Sequence, residues 1–403
     1  MTQLYYPFQS LREGHWFKLI CGASFQHLPA VRNLTLAYTL AGADCIDVAA
    51  DPVVIAAAQD ALQVASKLGE EAQARGFGFR SRPLLMVSLN DGEDPHFRKA
   101  EFNPELCPAE CSRPCEKICP AQAIVFQKAN GGVSGVVDKR CYGCGRCLPV
   151  CPIELIYTRS YVSTPEASAE LILPAGVDAL EIHTSVGHFA DFKRLWCAIA
   201  PWAQRLKLIA ISCPDADGLI EYLWALHELI TPLPCPLVWQ TDGRPMSGDI
   251  GTGTTRAAVK LSEKVLVAGL PGYVQLAGGT NNHTVAKLKA AGLLNEGGLG
   301  TGELGVSGGD KGQWGLGRQG GFANTPLSSS SSQFPIPNSQ SYVAGIAYGS
   351  YARVLLSPIL DELEKLNGQL ETLPSLLWEA VESAHSLVSQ LKSSRKVPQP
   401  IPN

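Results

Sequence analysis

The chain has 403 residues, of which 45% are hydrophobic and 17% charged, and a formal net charge of −4. That apolar share at this length can fill a large core and excludes a disordered chain, while the near-neutral balance offers no basic field for nucleic acid. No apolar run reaches the roughly 18 residues of a membrane span, because the richest, Leu195 to Ile211, is broken by Arg205 and Lys207.

From the N-terminus, Met1-Thr2-Gln3-Leu4-Tyr5-Tyr6 carries no secretory signal, and a cysteine-rich chain without one is expected in the reducing cytoplasm. Short β-branched or apolar runs then alternate with helix-length amphipathic segments. Strands are expected at 17–21, 45–49 and 84–88, and after an interruption at 178–183, 206–211, 236–240, 272–276 and 342–347, with a helix after each. Eight βα units fit a (β/α)8 barrel of about 250 residues before insertions, with an open parallel α/β sheet as the alternative. The implied organisation is 1–90 and 159–294 as two parts of the barrel, 91–158 as a ferredoxin-like insertion at the C-terminal face, and 295–340 as a disordered insertion. Residues 341–392 then supply the last strand and C-terminal helices, and 393–403 a flexible tail.

The interruption carries eight of the thirteen cysteines, in two runs that each end in Cys-Pro. The second, Cys141, Cys144, Cys147, Cys151 and Pro152, has the Cys-x2-Cys-x2-Cys-x3-Cys-Pro spacing of bacterial-type ferredoxins, where three thiolates serve one [4Fe–4S] cube and the fourth serves its partner. The first, Cys107, Cys111, Cys115, Cys119 and Pro120, keeps the terminal Cys-x3-Cys-Pro but widens the earlier gaps to three residues. By pseudo-two-fold logic Cys119 joins Cys141, Cys144 and Cys147 on one cube, and Cys151 joins Cys107, Cys111 and Cys115 on the other. Soft thiolates suit iron, and short spacings let few residues wrap a compact cube with backbone N–H groups aimed at its sulfurs. The bland alternatives are a disulfide framework, which belongs to small secreted domains, and zinc, which prefers separated Cys-x2-Cys knuckles.

Beyond the cysteines, Gly278-Gly279-Thr280 and Gly349-Ser350 follow the seventh and eighth strands, where barrels of this kind commonly bind phosphate. They are candidates for a phosphate-bearing cofactor such as FMN; the alternative is that these glycines only turn the chain. Gly251-Thr252-Gly253-Thr254-Thr255 also opens a helix but lacks a P-loop lysine. Glu181 and His183 share one face of the fourth strand, and Asp47 on the second can point the same way, so the barrel mouth is a candidate proton-handling site. Asp51, Asn90, His188, Asp242 and His283 also fall at strand ends. Cys21, Cys45, Cys197, Cys213 and Cys235 read as small core residues. Gly300-Thr301-Gly302-Glu303-Leu304-Gly305 matches the dinucleotide pattern without its strand and helix, and is read as accidental. The stretch from Leu356 to Leu391 has helical periodicity.

Leu19-Ile20-Cys21-Gly22-Ala23-Ser24, Ala41 to Asp51, the twin cysteine runs and Ala175 to Thr184 together resemble the cyanobacterial light-dependent period family. The resemblance implies an iron–sulfur protein on the input pathway of the circadian clock. Such a protein senses redox state through the quinone pool or photosynthetic electron transport and adjusts period length through clock-input or signalling partners, peripherally at the thylakoid if at any membrane. Three readings compete: a redox sensor with two [4Fe–4S] clusters, an oxidoreductase whose clusters relay electrons to a flavin at the barrel mouth, and a docking subunit on a thylakoid complex. Bound flavin separates the second from the first.

Overall fold

The computed structural model describes residues 5–21, 28–92, 98–119, 122–126, 134–138, 140–141, 145–160, 165–244, 250–295, 341–366 and 368–392. In chain order the elements are α1 (Tyr6–Glu13), β1 (Trp16–Ile20), α2 (Leu28–Ala41), β2 (Cys45–Ala49), α3 (Pro52–Ala74) and β3 (Leu84–Asn90). The interruption then contributes β4 (Arg98–Glu101), α4 (Pro114–Ile118), β5 (Ile124–Val125), β6 (Gly135–Val136) and β7 (Tyr157–Ser160). Alternation resumes with α5 (Pro165–Ile172), β8 (Ala179–His183), α6 (Phe189–Ile199), β9 (Leu208–Pro214), α7 (Leu219–Ile230), β10 (Leu237–Asp242) and α8 (Thr255–Val267). It ends with β11 (Tyr273–Ala277), α9 (Thr284–Ala290), β12 (Gly345–Tyr348), α10 (Ser350–Lys365) and α11 (Pro374–Lys392).

Eight of these strands close into a parallel barrel in the order β1-β12-β11-β10-β9-β8-β3-β2. Closure comes from β1 against β12, where Trp16 pairs with Gly345 and Leu19 with Tyr348, so the open-sheet alternative falls. All eight strand expectations coincide with these strands, with ends shifted by up to three residues. The helical stretch expected at Leu356 to Leu391 is two helices, α10 and α11, separated by a 3-10 turn at Leu370–Thr372. Residues 296–340, with the expected disordered insertion and the accidental glycine motif, and the tail 393–403 lie outside the described residues.

Strand alternation sorts side chains into three environments. Outward residues such as Phe17, Leu19, Ile46, Leu85 and Ile209 form one continuous core with the helices. Inward residues at the N-terminal ends, including Trp16, Cys45, Met86 and Tyr273, pack with Phe8 and Leu11 of α1 into an apolar plug. One level higher the inward residues are polar: Lys18, Asp47, Ser88, Glu181, Ser212, Gln240 and Gln275 are all buried. Local signals set the ends of elements; Asp51 caps α3 by accepting from Val53 N at 2.7 Å, with Pro52 in the first helical turn.

Of the five isolated cysteines, Cys21, Cys45, Cys213 and Cys235 are buried as expected, whereas Cys197 is exposed. The correction has a simple cause: α6 buries Phe192, Leu195, Trp196 and Ile199, and Cys197 falls between them on the outward face.

The interruption leaves the barrel at the C-terminal end of β3. Its two ends run side by side, β4 antiparallel to β7 from Arg98↔Ser160 to Glu101↔Tyr157, giving a two-stranded stalk. Asp91, just before this segment, donates its N–H to His183 O of β8 at 3.1 Å at the rim of the barrel mouth. The segment has its own small core of Ala100, Phe102, Cys115, Ala123, Ile124, Cys141, Cys147 and Ile156.

Candidate iron–sulfur centre and barrel mouth

The described residues after the last cysteine of each run repeat one conformation. Gln122 and Glu154, three residues after Cys119 and Cys151, both adopt left-handed backbone, at φ 49° and 50°. Each donates its N–H back to the cysteine carbonyl, Gln122 to Cys119 O at 3.0 Å and Glu154 to Cys151 O at 3.1 Å. The turn then aims the next amide at sulfur: Ala123 N donates to Cys119 Sγ at 3.2 Å and Leu155 N to Cys151 Sγ at 3.3 Å. A non-glycine residue in this region costs about 1 kcal/mol, a strain that repeats at equivalent points of the two runs and serves the same purpose in both. On the stalk side Ala100 N donates to Cys141 Sγ at 3.4 Å. Amides aimed at sulfur stabilise the thiolate, the form that binds iron.

Cys151 of the second run lies among the cysteines of the first. Burial holds the Cys107 thiol above the usual thiol range, with the neighbouring Cys111 and, more weakly, Cys151 adding to the shift. Burial raises Cys115 likewise, opposed by the amide of Glu116 and reinforced by Cys151 and Cys107. Cys151, though last in the second run, therefore lies close enough to Cys107 and Cys115 of the first to act on both. Burial pushes its thiol up, but the amides of Ile153, Leu155, Ile156 and Glu154 outweigh that and hold it below the usual value. Cys119 and Cys151 both pack on the small core that contains Cys115, Cys141 and Cys147. Cys144 lies outside the described residues, which gather no three metal-ligating side chains around a point for a single ion. A cube places its four thiolates on four separate irons, and the soft donors, the nearness of Cys151 to the first run and the amide-to-sulfur bonds fit it.

At the barrel mouth the structure joins Asp47, Glu181 and His183 into one buried network around Lys18. Lys18 Nζ lies 3.0 Å from Asp47 Oδ2, contacts Glu181 Oε2, and donates to Gln240 Oε1 at 3.1 Å. Gln240 Nε2 donates to Glu181 Oε1 at 2.6 Å, Gln275 Nε2 to Gln240 Oε1 at 2.5 Å, and Ser88 Oγ to Asp47 Oδ1 at 2.8 Å. Burial lowers the Lys18 pKa, but the charges of Asp47 and Glu181 more than reverse this and hold the ammonium firmly protonated. Burial raises the Asp47 carboxyl, with Lys18 opposing and Glu181 reinforcing. His183 Nε2 sits 3.1 Å from Glu181 Oε1, and its side chain remains one-third exposed to the mouth. Lys18, Ser88, Ser212, Gln240 and Gln275 were not singled out in the sequence; the signal was a polar residue at an inward position of strand after strand.

Asp242 ends β10. Burial drives its carboxyl to about 6, opposed by His183 and reinforced by Glu181, and among the described residues Oδ1 has no hydrogen-bond partner. A carboxyl raised in the folded state binds protons more readily there than in the unfolded chain. Its stability cost is therefore absent below the unfolded pKa near 4 and complete above about 6. The isosteric change Asp242→Asn is accordingly expected to raise stability at pH 7 by about 1–3 kcal/mol and to leave it unchanged at pH 4. Urea unfolding at both pH values measures this; equal effects at both would remove Asp242 as the titrating group.

The glycine loops have defined jobs. Gly278 has φ +74°, and a Cβ there would fall 2.0 Å from Asp242 Oδ1, so only glycine can roof that carboxyl. Thr254 Oγ1 lies 2.7 Å from the carbonyl oxygens of both Gly251 and Gly279, with one proton to donate between them, and Thr280 Oγ1 donates to Ala347 O at 2.8 Å. Asn281 Nδ2 donates to Gly251 O at 2.8 Å. These hydroxyl and amide groups brace the loops to each other. Gly349 precedes α10, and Ser350 Oγ accepts from Arg353 Nη2 at 3.1 Å. Of the other strand-end candidates, Asp51 caps α3, His188 and Asp91 are paired at 3.3 Å, His283 N donates to Asn281 Oδ1 at 2.9 Å, and Asn90 pairs in register with His183.

A closed (β/α)8 barrel carrying an inserted module with ferredoxin cysteine spacing defines an iron–sulfur barrel protein. The comparisons with known proteins give the family. Residues 107–162 match the profile of the light-dependent period A Fe–S cluster-binding domain, and residues 171–390 that of the light-dependent period A C-terminal domain. The chain is 45% identical over 389 residues to light dependent period A of Synechococcus elongatus, covering 96% of this chain and 94% of that protein. The chain belongs to the light-dependent period A family.

Shorter matches are to a tetrathionate reductase component of Salmonella typhimurium, 34% identical over 34% of this chain and 58% of that protein, and to an uncharacterized ferredoxin of Methanocaldococcus jannaschii, 34% identical over 20% and 54%. A tryptophan synthase structure from M. tuberculosis aligns over 96% of both chains at 12% identity, but its TM-score of 0.37 is too low to bear on fold or function.

Proposed function

We propose that this protein is an iron–sulfur redox sensor in circadian period control, holding two [4Fe–4S] clusters in crossed sets. One set is Cys107, Cys111, Cys115 and Cys151; the other is Cys119, Cys141, Cys144 and Cys147. The observation that carries the reading is the electrostatic influence of Cys151 on Cys107 and Cys115. Bound clusters supply one-electron changes at nearly fixed geometry. The chain's part is to make such a change felt elsewhere. Arg146, beside Cys147, pairs with Glu364 of α10 at 3.0 Å, and Asp91, just before the inserted segment, contacts Thr184 and His188 at the mouth. A change of about 1.4 kcal/mol in partner binding alters affinity tenfold, which is within ordinary coupling.

The partner is read as a clock-input or signalling protein, and the electron source as the quinone pool or photosynthetic electron transport, with the protein cytoplasmic or peripheral at the thylakoid. No described helix is long and apolar enough to cross a membrane.

The test is anaerobic purification with iron, sulfide and flavin measured together, followed by hydrogen–deuterium exchange in air-oxidised and dithionite-reduced protein. About eight irons per chain and exchange that differs in the stalk and the end of α10 are expected; identical exchange in the two states would sink the sensor reading. The place of Asp91 at the mouth, just before the inserted segment, favours the second reading, a flavin-dependent oxidoreductase with FMN near Gly278, Gly279, Thr280, Gly349 and Ser350. Stoichiometric flavin in the same sample would establish it.

A further inference from the structure

We propose that the barrel mouth is a proton-transfer site for a small carbonyl compound, with His183 as the base and Asp242 as the acid. The two residues occupy inward positions at the C-terminal ends of β8 and β10, on either side of β9, the face of a barrel where chemistry is sited. His183 pairs across the ladder with Ser212, and Ser212 with Gln240, so Asp242 stands one pleat above the histidine.

The orientation of the base is built in. Glu181 is fully buried, and its carboxylate can only accept hydrogen bonds, so the proton of the neutral imidazole lies on Nε2, at 3.1 Å from Oε1. The lone pair is then on Nδ1, on a ring one-third exposed to the mouth. Lys18 and Gln240 fix Glu181 in turn. Asp242 is the complementary group, a carboxyl held at about 6 by burial. A carboxyl raised by burial, one pleat above a histidine oriented by a buried carboxylate, gives the mouth a proton donor and a proton acceptor.

Other chemistries lose their groups to the fold. Burial holds the Cys213 thiol up to about 12, which leaves no thiolate for attack. Lys18 is locked as an ammonium, and Ser88 and Ser212 are bonded to Asp47 and Gln240. Proton transfer needs none of these. The ligand's α-C–H bond breaks as an N–H bond forms at His183 Nδ1, its electron pair becoming the C=C of an enol. The carbonyl oxygen takes the proton of Asp242, whose O–H bond breaks. Return of both protons restores the two side chains without any oxidant or reductant.

The test follows α-proton exchange of pyruvate and of dihydroxyacetone in D2O by proton NMR, with the full-length, anaerobically purified protein. Exchange of at least one probe is expected to be about a hundredfold slower in His183→Gln and in Asp242→Asn than in the wild type. The control Val267→Ser, on the exposed face of α8, should leave it unchanged. Nitrogen-15 spectra of histidine-labelled protein provide a second readout, with His183 expected as the Nε2-protonated tautomer. Exchange of both probes no faster in the wild type than in the two mouth variants, or a His183 protonated at Nδ1, would overturn the proposal.

Discussion

Cys151→Ser is expected to remove the cluster served by the first cysteine run and to spare the one served by its own. Iron should fall from about eight per chain to about four. The reason is the electrostatic influence of Cys151 on Cys107 and Cys115, with its sulfur held by the amide of Leu155 at 3.3 Å. The amides that lower the Cys151 thiol favour its thiolate, and serine removes the soft donor they serve. Double variants discriminate the connectivity. In the crossed arrangement Cys111→Ser combined with Cys151→Ser deletes one cluster twice and leaves about four irons, whereas Cys144→Ser combined with Cys151→Ser leaves none. If each run held its own cluster, the two pairs would exchange outcomes. Iron and sulfide analysis with EPR of the dithionite-reduced protein reads the result directly.

How much of this was legible depends on the range of the interaction. The cysteine spacing is local and survives in the sequence, as do the strands, since each is a short apolar run bounded by turn signals. Closure of the barrel was inferred from the number of units and then seen in the pairing of Trp16 with Gly345, a contact between opposite ends of the chain that no local pattern encodes. The left-handed Gln122 and Glu154 could not be foreseen, because neither is a glycine and the turn is imposed by the sulfur-directed amides that follow. Gly278 stands out in the sequence as part of a loop that suits an anion, and in the structure its left-handed backbone roofs Asp242, a residue at the end of the preceding strand. Glu181 and His183 were visible as a pair because two residues apart on a strand means one face; Lys18, which organises them, was not, because a lone lysine in an apolar strand gives no hint of a partner far along the chain.

That lysine carries the largest expected effect on stability. Lys18→Met leaves Asp47 and Glu181 facing each other inside the barrel without their cation. Breaking a buried ion pair by removing one partner costs about 3–5 kcal/mol, against a total of about 5–15 kcal/mol for a domain. The pH dependence distinguishes this from a packing defect. Burial and Glu181 already raise the Asp47 carboxyl, with Lys18 the main opposing influence. Without Lys18 the folded-state pKa must rise further, so the folded variant binds protons more readily than the unfolded chain. The variant is then relatively most stable below the ordinary carboxyl range and loses stability as the pH rises through the raised pKa. Urea unfolding should therefore show a larger deficit against the wild type at pH 8 than at pH 5; a deficit independent of pH would mean that lost packing dominates. Replacing the whole group, with Lys18→Met, Asp47→Leu and Glu181→Met together, should recover most of the stability, because apolar side chains of similar volume replace buried ion groups at little or no net cost. That triple variant no longer fixes the His183 ring, so a stable fold in which histidine-labelled spectra show His183 in mixed tautomers would separate what the network does for the barrel from what it does for the mouth.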